Sequence, residues 1–95
     1  MRTRTEELTD FLYGGPYPKT YPTGLERILM RKLQMIKAAH ELRDLKIPPG
    51  NRLEPLKGNL KGYRSIRINQ QWRLVFQWDD NNKEAIDVHF DDYHN

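Results

Sequence analysis

The sequence predicts an α+β fold, a small antiparallel sheet packed against one or two N-terminal helices. Three observations predict it. Apolar residues recur with a 3.6-residue period from Leu25 to about Arg43. From Tyr63 onward the period is two. Between them, Ile47-Pro48-Pro49-Gly50-Asn51 stops any helix. The 95 residues are read as a single domain, residues 1–95, with a small core, because so short a chain buries only about 60–65% of its unfolded surface.

The N-terminal Met1–Glu7 is charged and threonine-rich. It has no hydrophobic stretch after its positive charges, so no secretory signal and a cytoplasmic location are expected. No apolar run approaches the roughly 20 residues that span a bilayer. The absence of cysteine excludes a disulfide framework and a thiolate metal site. Gly14–Pro22 carries three prolines and reads as an extended, tyrosine-rich linker. Thr23 and Glu26 have capping-box spacing. Leu25, Ile28, Leu29, Leu33, Ile36 and His40 then form one face of an amphipathic helix. His40, on that face, is expected to be partly buried and hydrogen-bonded.

Three strands follow, forming an antiparallel meander. Ile66 and Ile68 alternate with Ser65 and Arg67; Trp72, Leu74, Phe76 and Trp78 with Arg73, Val75 and Gln77; and Ile86, Val88 and Phe90 with Asp87 and His89. Residues directly opposite in an antiparallel pair point to the same face. Parity therefore places Ile68 opposite Trp72, Ile66 opposite Leu74 and Arg67 opposite Arg73. In the second hairpin it places Val88 opposite Phe76, Phe90 opposite Leu74, His89 opposite Val75 and Asp91 beside Arg73. Two arginines facing each other on an exposed face repel unless an anion lies between them.

The charge distribution bears on this face. Residues 51–73 hold six Lys/Arg and one acid, and residues 74–95 one Lys and six acids. The polar face gathers Arg67, Arg73, Asp91, Tyr93 and His94, with Lys57 and Lys61 in the loop leading in. Two readings are open at this point. Asp91 or Asp92 could neutralise the arginines in a surface salt-bridge cluster. Alternatively, the guanidinium forks form a phosphate site, with a histidine near neutral pKa beside it. His40, His89 and His94 lie on different elements and have no metal-ligand spacing, so no metal and no cofactor are expected. No phosphate-cradling glycine loop or GxSxG elbow is present. Trp72 and Trp78 read as core; Tyr63 and Tyr93, at or beyond strand ends, are better placed to stack on a base.

The run from Asn51 to Phe76, Asn51-Arg52-Leu53-Glu54-Pro55-Leu56-Lys57-Gly58-Asn59-Leu60-Lys61-Gly62-Tyr63-Arg64-Ser65-Ile66-Arg67-Ile68-Asn69-Gln70-Gln71-Trp72-Arg73-Leu74-Val75-Phe76, resembles toxins of the HigB type, in the RelE superfamily of bacterial toxin–antitoxin systems. Asp92-Tyr93-His94 matches the family's C-terminal signature. Arg31-Lys32-Leu33 and the segment Ala38–Leu45 are similar to its helical region. The resemblance covers about Leu25 to His94. It implies a RelE-like fold and a ribosome-dependent, metal-independent messenger-RNA endonuclease. In the family the 2′-hydroxyl attacks the adjacent phosphate, leaving a 2′,3′-cyclic phosphate and a 5′-hydroxyl. That chemistry needs a base, cations on the developing phosphorane charge and an acid for the leaving oxygen. The resemblance thus implies Arg67 and Arg73 on the phosphate with Lys57 assisting, His94 as the proton-transfer residue, Tyr93 on the nucleotide and Asp92 holding His94 or Tyr93. Lys61, Arg64 and the helix cations Arg27, Arg31 and Lys37 would face ribosomal RNA. The implied partners are the bacterial ribosome, its mRNA and a HigA-type helix-turn-helix antitoxin, with operator DNA reached only through that antitoxin.

The chain departs from the family pattern in two places. Family members begin with a strand of alternating apolar residues before a short helix, whereas Met1–Glu7 predicts a short or poorly formed strand. Some members carry a catalytic histidine where this chain has Glu54. Glu54 is either a base or an exposed strand-edge carboxylate. The alternative function is a non-catalytic RNA- or ribosome-binding module.

Overall fold

The computed structural model describes residues 1–92. The chain runs through helix α1 (Glu6–Leu12), helix α2 (Glu26–Ala38), and strands β1 (Glu54–Pro55), β2 (Arg64–Arg67), β3 (Trp72–Asp79) and β4 (Glu84–Asp92). Short 3-10 helices at Leu42–Lys46, Pro49–Asn51 and Gly58–Leu60 shape the connection between α2 and the sheet. The strands form one antiparallel sheet in the order β1-β2-β3-β4.

Both helices cover the same sheet face. Leu8, Phe11 and Leu12 of α1 and Leu29, Leu33 and Ile36 of α2 are buried against Ile66, Leu74, Phe76 and Val88. The spacings i, i+3, i+4 and i, i+4, i+7 are those of a single helical stripe. At about 25 cal/mol per Å² of apolar surface, this burial is the main favourable contribution to folding. The tyrosine-rich segment is without regular structure and folds back on the core. Tyr21 stacks on Phe90 at 4.6 Å between ring centroids, and Trp72 stacks on the same ring at 4.8 Å.

Helix α2 is shorter at both ends than its sequence periodicity predicts. Gly24 adopts φ +87, so the helix starts at Glu26, with Leu25 at the N-cap and no side-chain cap. The Thr23–Glu26 capping box does not form. At the other end Ala39 is extended, and the Asp44 carboxylate accepts the backbone N–H groups of His40 (3.0 Å) and Glu41 (2.9 Å). These bonds cap the next 3-10 helix and end the run five residues before Arg43. His40 is therefore exposed and outside the helix, not on its apolar face.

The N-terminal strand is reduced to a single parallel bridge between Thr3 and Val88. Helix α1 follows at once. Thr5 is its N-cap, its hydroxyl accepting from the Leu8 N–H at 3.2 Å, and Glu6 and Glu7 sit at the positive end of the helix dipole. Strand β4 departs from simple alternation. Pairing runs Val75↔His89, then Gln77↔Ile86, so Asp87 and Val88 together oppose Phe76. Asp87 takes φ +54, a conformation that Asp tolerates better than most residues. Val88 stays in the core, but the extra residue turns Ile86 to the polar face and puts Ala85 in the core instead.

Candidate active site

The polar face of the sheet is built by the register. Arg67 pairs with Arg73 and Arg73 with Asp91, as parity predicts. One row over, Glu54, Ser65, Val75 and His89 lie side by side across all four strands. The fourth strand, β1, is two residues long and supplies Glu54 to this row. The chain after it rises over the sheet and leaves a cleft of about 570 Å³. Pro55, Leu56, Lys57 and Leu60 form one wall, and Ser65, Arg73, Val75, Asp91 and Asp92 form the floor and the far side.

Arg73 lies at the centre of this floor and is buried, only 7% exposed. This corrects the expectation of two arginines on an open face. Ser65, the Arg52 carbonyl and Glu54 at the sheet edge close around the Arg73 guanidinium. Arg73 Nε donates to the Ser65 hydroxyl at 2.7 Å, and Nη2 donates to the Arg52 carbonyl at 2.7 Å. Nη2 also lies 3.5 Å from Glu54 Oε1. Glu54 thus meets Arg73 at the sheet edge, with its side chain 41% exposed. Arg67 is half-buried, and its Nε donates to the Asn69 carbonyl at 3.2 Å. Lys57 is exposed on the cleft wall.

Asp91 Oδ1 accepts the Asp92 N–H at 2.8 Å, and Asp92 Oδ2 accepts from Gln71 Nε2 at 3.3 Å. Tyr93 and His94 lie outside the described residues. Among the described residues no group of three or more His, Asp or Glu is placed to hold a metal ion, and no helix is long and apolar enough to cross a membrane.

Three of the expected RNA-facing residues, Lys61, Tyr63 and Arg64, do not join the cleft. Arg64 pairs with Phe76, so it lies on the helix-covered side of the sheet. Tyr63 is on the cleft side, but its hydroxyl donates to Asp87 Oδ2 at 2.5 Å. Asp87 also accepts from Arg4 Nε and Nη2 at 2.9 and 2.8 Å. These donors hold the Asp87 carboxyl well below the usual carboxylate range, the Arg4 hydrogen bonds being the largest cause. The carbonyl of Asp87 meets His89 Nδ1 at 2.8 Å, and His89 is 8% exposed. His89 is therefore buried, its ring tied to the backbone of its own strand. Lys61 is exposed at the end of the 3-10 helix Gly58–Leu60.

Sequence reasoning did not single out Ser65, the Arg52 carbonyl or the Arg4–Asp87–Tyr63 knot. Ser65 could have been found, since parity puts it on the polar face diagonal to Arg73. The Arg52 carbonyl depends on a left-handed turn, φ 47 and ψ 52, that has no local sequence signal.

Comparison with known proteins places this arrangement. The family model for the RelE-like toxin of the type II toxin–antitoxin system HigB matches residues 3–94. Toxin HigB-1 of Vibrio cholerae is 58% identical over 59 residues, covering 62% of each chain. Endoribonuclease HigB of Proteus vulgaris is 39% identical over 67 residues, 66% of this chain and 65% of that one. The chain thus matches slightly less than two thirds of the length of both toxins. An uncharacterised Haemophilus influenzae protein is 38% identical over 81 residues, 83% of this chain and 79% of its own. Two solved structures share the fold. The YoeB–YefM complex from Staphylococcus aureus aligns with TM-score 0.54 at 24% identity, over 99% of this chain and 94% of that one. The YoeB/ParE toxin from Agrobacterium tumefaciens aligns with TM-score 0.53 at 23% identity over the whole of both chains. With a sheet and helices of this type and a family match over nearly its whole length, the chain belongs to the HigB-like toxins of the RelE superfamily.

Proposed function

We propose that residues 1–95 form one toxin domain of a type II toxin–antitoxin pair, a ribosome-dependent, metal-independent endoribonuclease that cuts messenger RNA and is neutralised by a HigA-type helix-turn-helix antitoxin. The observation that carries the reading is Arg73, a guanidinium fixed on the floor of an open cleft with Lys57 on its wall and Arg67 opposite it in the register. A buried arginine and an exposed lysine on one cleft, with Arg67 next to that arginine in the register, suit a phosphodiester group. The family match supports the same chemistry, and one relative carries the name endoribonuclease.

In the proposed reaction the 2′-oxygen attacks the adjacent phosphorus and the bond to the 5′-oxygen breaks. Glu54 Oε takes the 2′-hydroxyl proton, Arg73, Arg67 and Lys57 stabilise the charge that develops on the phosphoryl oxygens, and His94 gives a proton to the leaving 5′-oxygen. Glu54 is 3.5 Å from Arg73 and so is directed at the same position. Tyr93 and His94 follow Asp92, which lines the cleft, directly in sequence; Asp92 orients them and Tyr93 stacks on the nucleotide. Lys61, Tyr63 and Arg64 supply contacts outside the cleft, Lys61 and Arg64 by charge to RNA backbone. Operator DNA is reached through the antitoxin, since α1 has only seven residues and α2 is packed on the sheet.

The test is mapping of 5′ ends on a defined messenger RNA incubated with the purified chain, with and without translating ribosomes. In-phase cuts made only with ribosomes, leaving 5′-hydroxyl ends, are expected. Intact RNA in a folded sample that still binds ribosomes would replace this reading with a non-catalytic ribosome-binding module.

A further inference from the structure

We infer that Ser65 is a positioning residue for RNA cleavage: its hydroxyl fixes the plane in which the Arg73 guanidinium meets the phosphate. The inference rests on the function proposed above. Ser65 is fully buried in the middle of the sheet, where a residue such as Ala or Val would satisfy β2 without a polar atom. A buried hydroxyl needs a partner, and here the partner is Arg73 Nε at 2.7 Å.

The geometry goes beyond mutual satisfaction. Arg73 is held at two of the nitrogens of its planar fork, Nε by Ser65 and Nη2 by the Arg52 carbonyl, each at 2.7 Å. One bond would leave the group free to turn about its Cδ–Nε axis and side-chain torsions. Two acceptors on separate backbone segments set the plane before substrate arrives. An arginine chain is costly to order, because it loses most of its rotamer freedom. Ordering it in advance leaves that cost out of the reaction step, and the result is a rate effect, not a binding effect. Glu54, another neighbour of the fork, sits at 3.5 Å and 41% exposed; it is a looser contact than Ser65 or the Arg52 carbonyl. Ser65 lines the same cleft as Arg73 but reaches the phosphate only through it.

The test compares Ser65→Ala and Ser65→Thr with the parent chain in single-turnover cleavage on messenger-RNA-programmed ribosomes. Ser65→Ala should cut about tenfold or more slowly at saturating ribosomes, while the ribosome concentration at half-maximal rate moves less than about twofold. Ser65→Thr, which keeps the hydroxyl, should recover most of the rate. In an Arg73→Lys background, which has no Nε–H for Ser65 to accept, Ser65→Ala should cause little further loss, because the two residues act as one unit. A purely structural role would lower the melting temperature and leave the rate of the folded protein unchanged. If Ser65→Ala does not fold, Ser65→Cys keeps the volume with a weaker acceptor and makes the same comparison. A Ser65→Ala chain that cuts at the parent's rate, or that loses rate equally in the Arg73→Lys background, overturns the inference and leaves the functional reading standing. A parent chain that cuts no RNA overturns both.

Discussion

Replacing Asp87 by Asn should measure how strongly the N-terminus is tied to the sheet. Asn is the informative choice because it tolerates the left-handed conformation at this position, φ +54, and preserves shape while removing charge. The perturbation weakens three hydrogen bonds, two from Arg4 at 2.9 and 2.8 Å and one from Tyr63 at 2.5 Å. The Arg4 side chain is 47% exposed, so its pairing contributes at the low end, at most about 1 kcal/mol. The Tyr63 bond to the charged acceptor adds to this. The loss at pH 7 is then about 1 kcal/mol, which for a chain of this size lowers the melting temperature by roughly 4–8 °C. The sign with pH follows from linkage. The folded-state carboxyl is held below its unfolded value, so its contribution is complete above that value and disappears as pH falls through the folded one. Urea denaturation of both chains between pH 7 and pH 3 should therefore show a constant gap down to about pH 5 that narrows in acid, where the unfolded carboxyl near 3.9 begins to protonate. Equal stability at pH 7, or a gap that does not narrow below pH 4, would refute the reasoning.

Other perturbations probe the core and the cleft. Leu33→Ala removes a fully buried side chain from α2 and should cost about 2–5 kcal/mol in urea denaturation. Glu54→Gln keeps the size of the group beside Arg73 but cannot take a proton; single-turnover cleavage should slow by about 10²-fold if Glu54 is the base. Lys57→Ala, at an exposed position on the cleft wall, should leave the melting temperature within about 2 °C while slowing cleavage about tenfold or more.

How much was legible in the sequence differs from element to element. The pairings Ile66–Leu74, Arg67–Arg73 and Leu74–Phe90 follow from alternation and parity, because a one-residue slip would turn a whole apolar set to solvent. The bulge at Asp87 broke the same argument for Ile86 and Ala85, since one residue with positive φ shifts the parity of the strand beyond it. Helix α1 was legible in principle, from the Thr5 cap and the spacing of Leu8, Phe11 and Leu12, but seven residues give a weak periodic signal. The end of α2 was set by Asp44, a side chain beyond the helix, competing for the His40 and Glu41 amides. At the site, parity located the Arg67–Arg73–Asp91 row. It could not reveal that Arg73 is buried, because that depends on the Arg52 carbonyl and Glu54 meeting its guanidinium from the segment before β2. The turn at Arg52 and the Lys32–Asn51 hydrogen bond beneath that segment are tertiary features with no local pattern.

The most direct measurement is 5′-end mapping on translating ribosomes for the parent chain and Arg73→Lys side by side, with thermal melts of both. Lysine keeps the positive charge but cannot make the two-point contact to Ser65 and the Arg52 carbonyl. The account predicts cooperative melting of both proteins, codon-phased cuts by the parent, and cuts at the same positions about 10²-fold slower by the variant. A folded Arg73→Lys chain that cuts as fast as the parent would contradict the claim that this cleft is where the phosphate is broken.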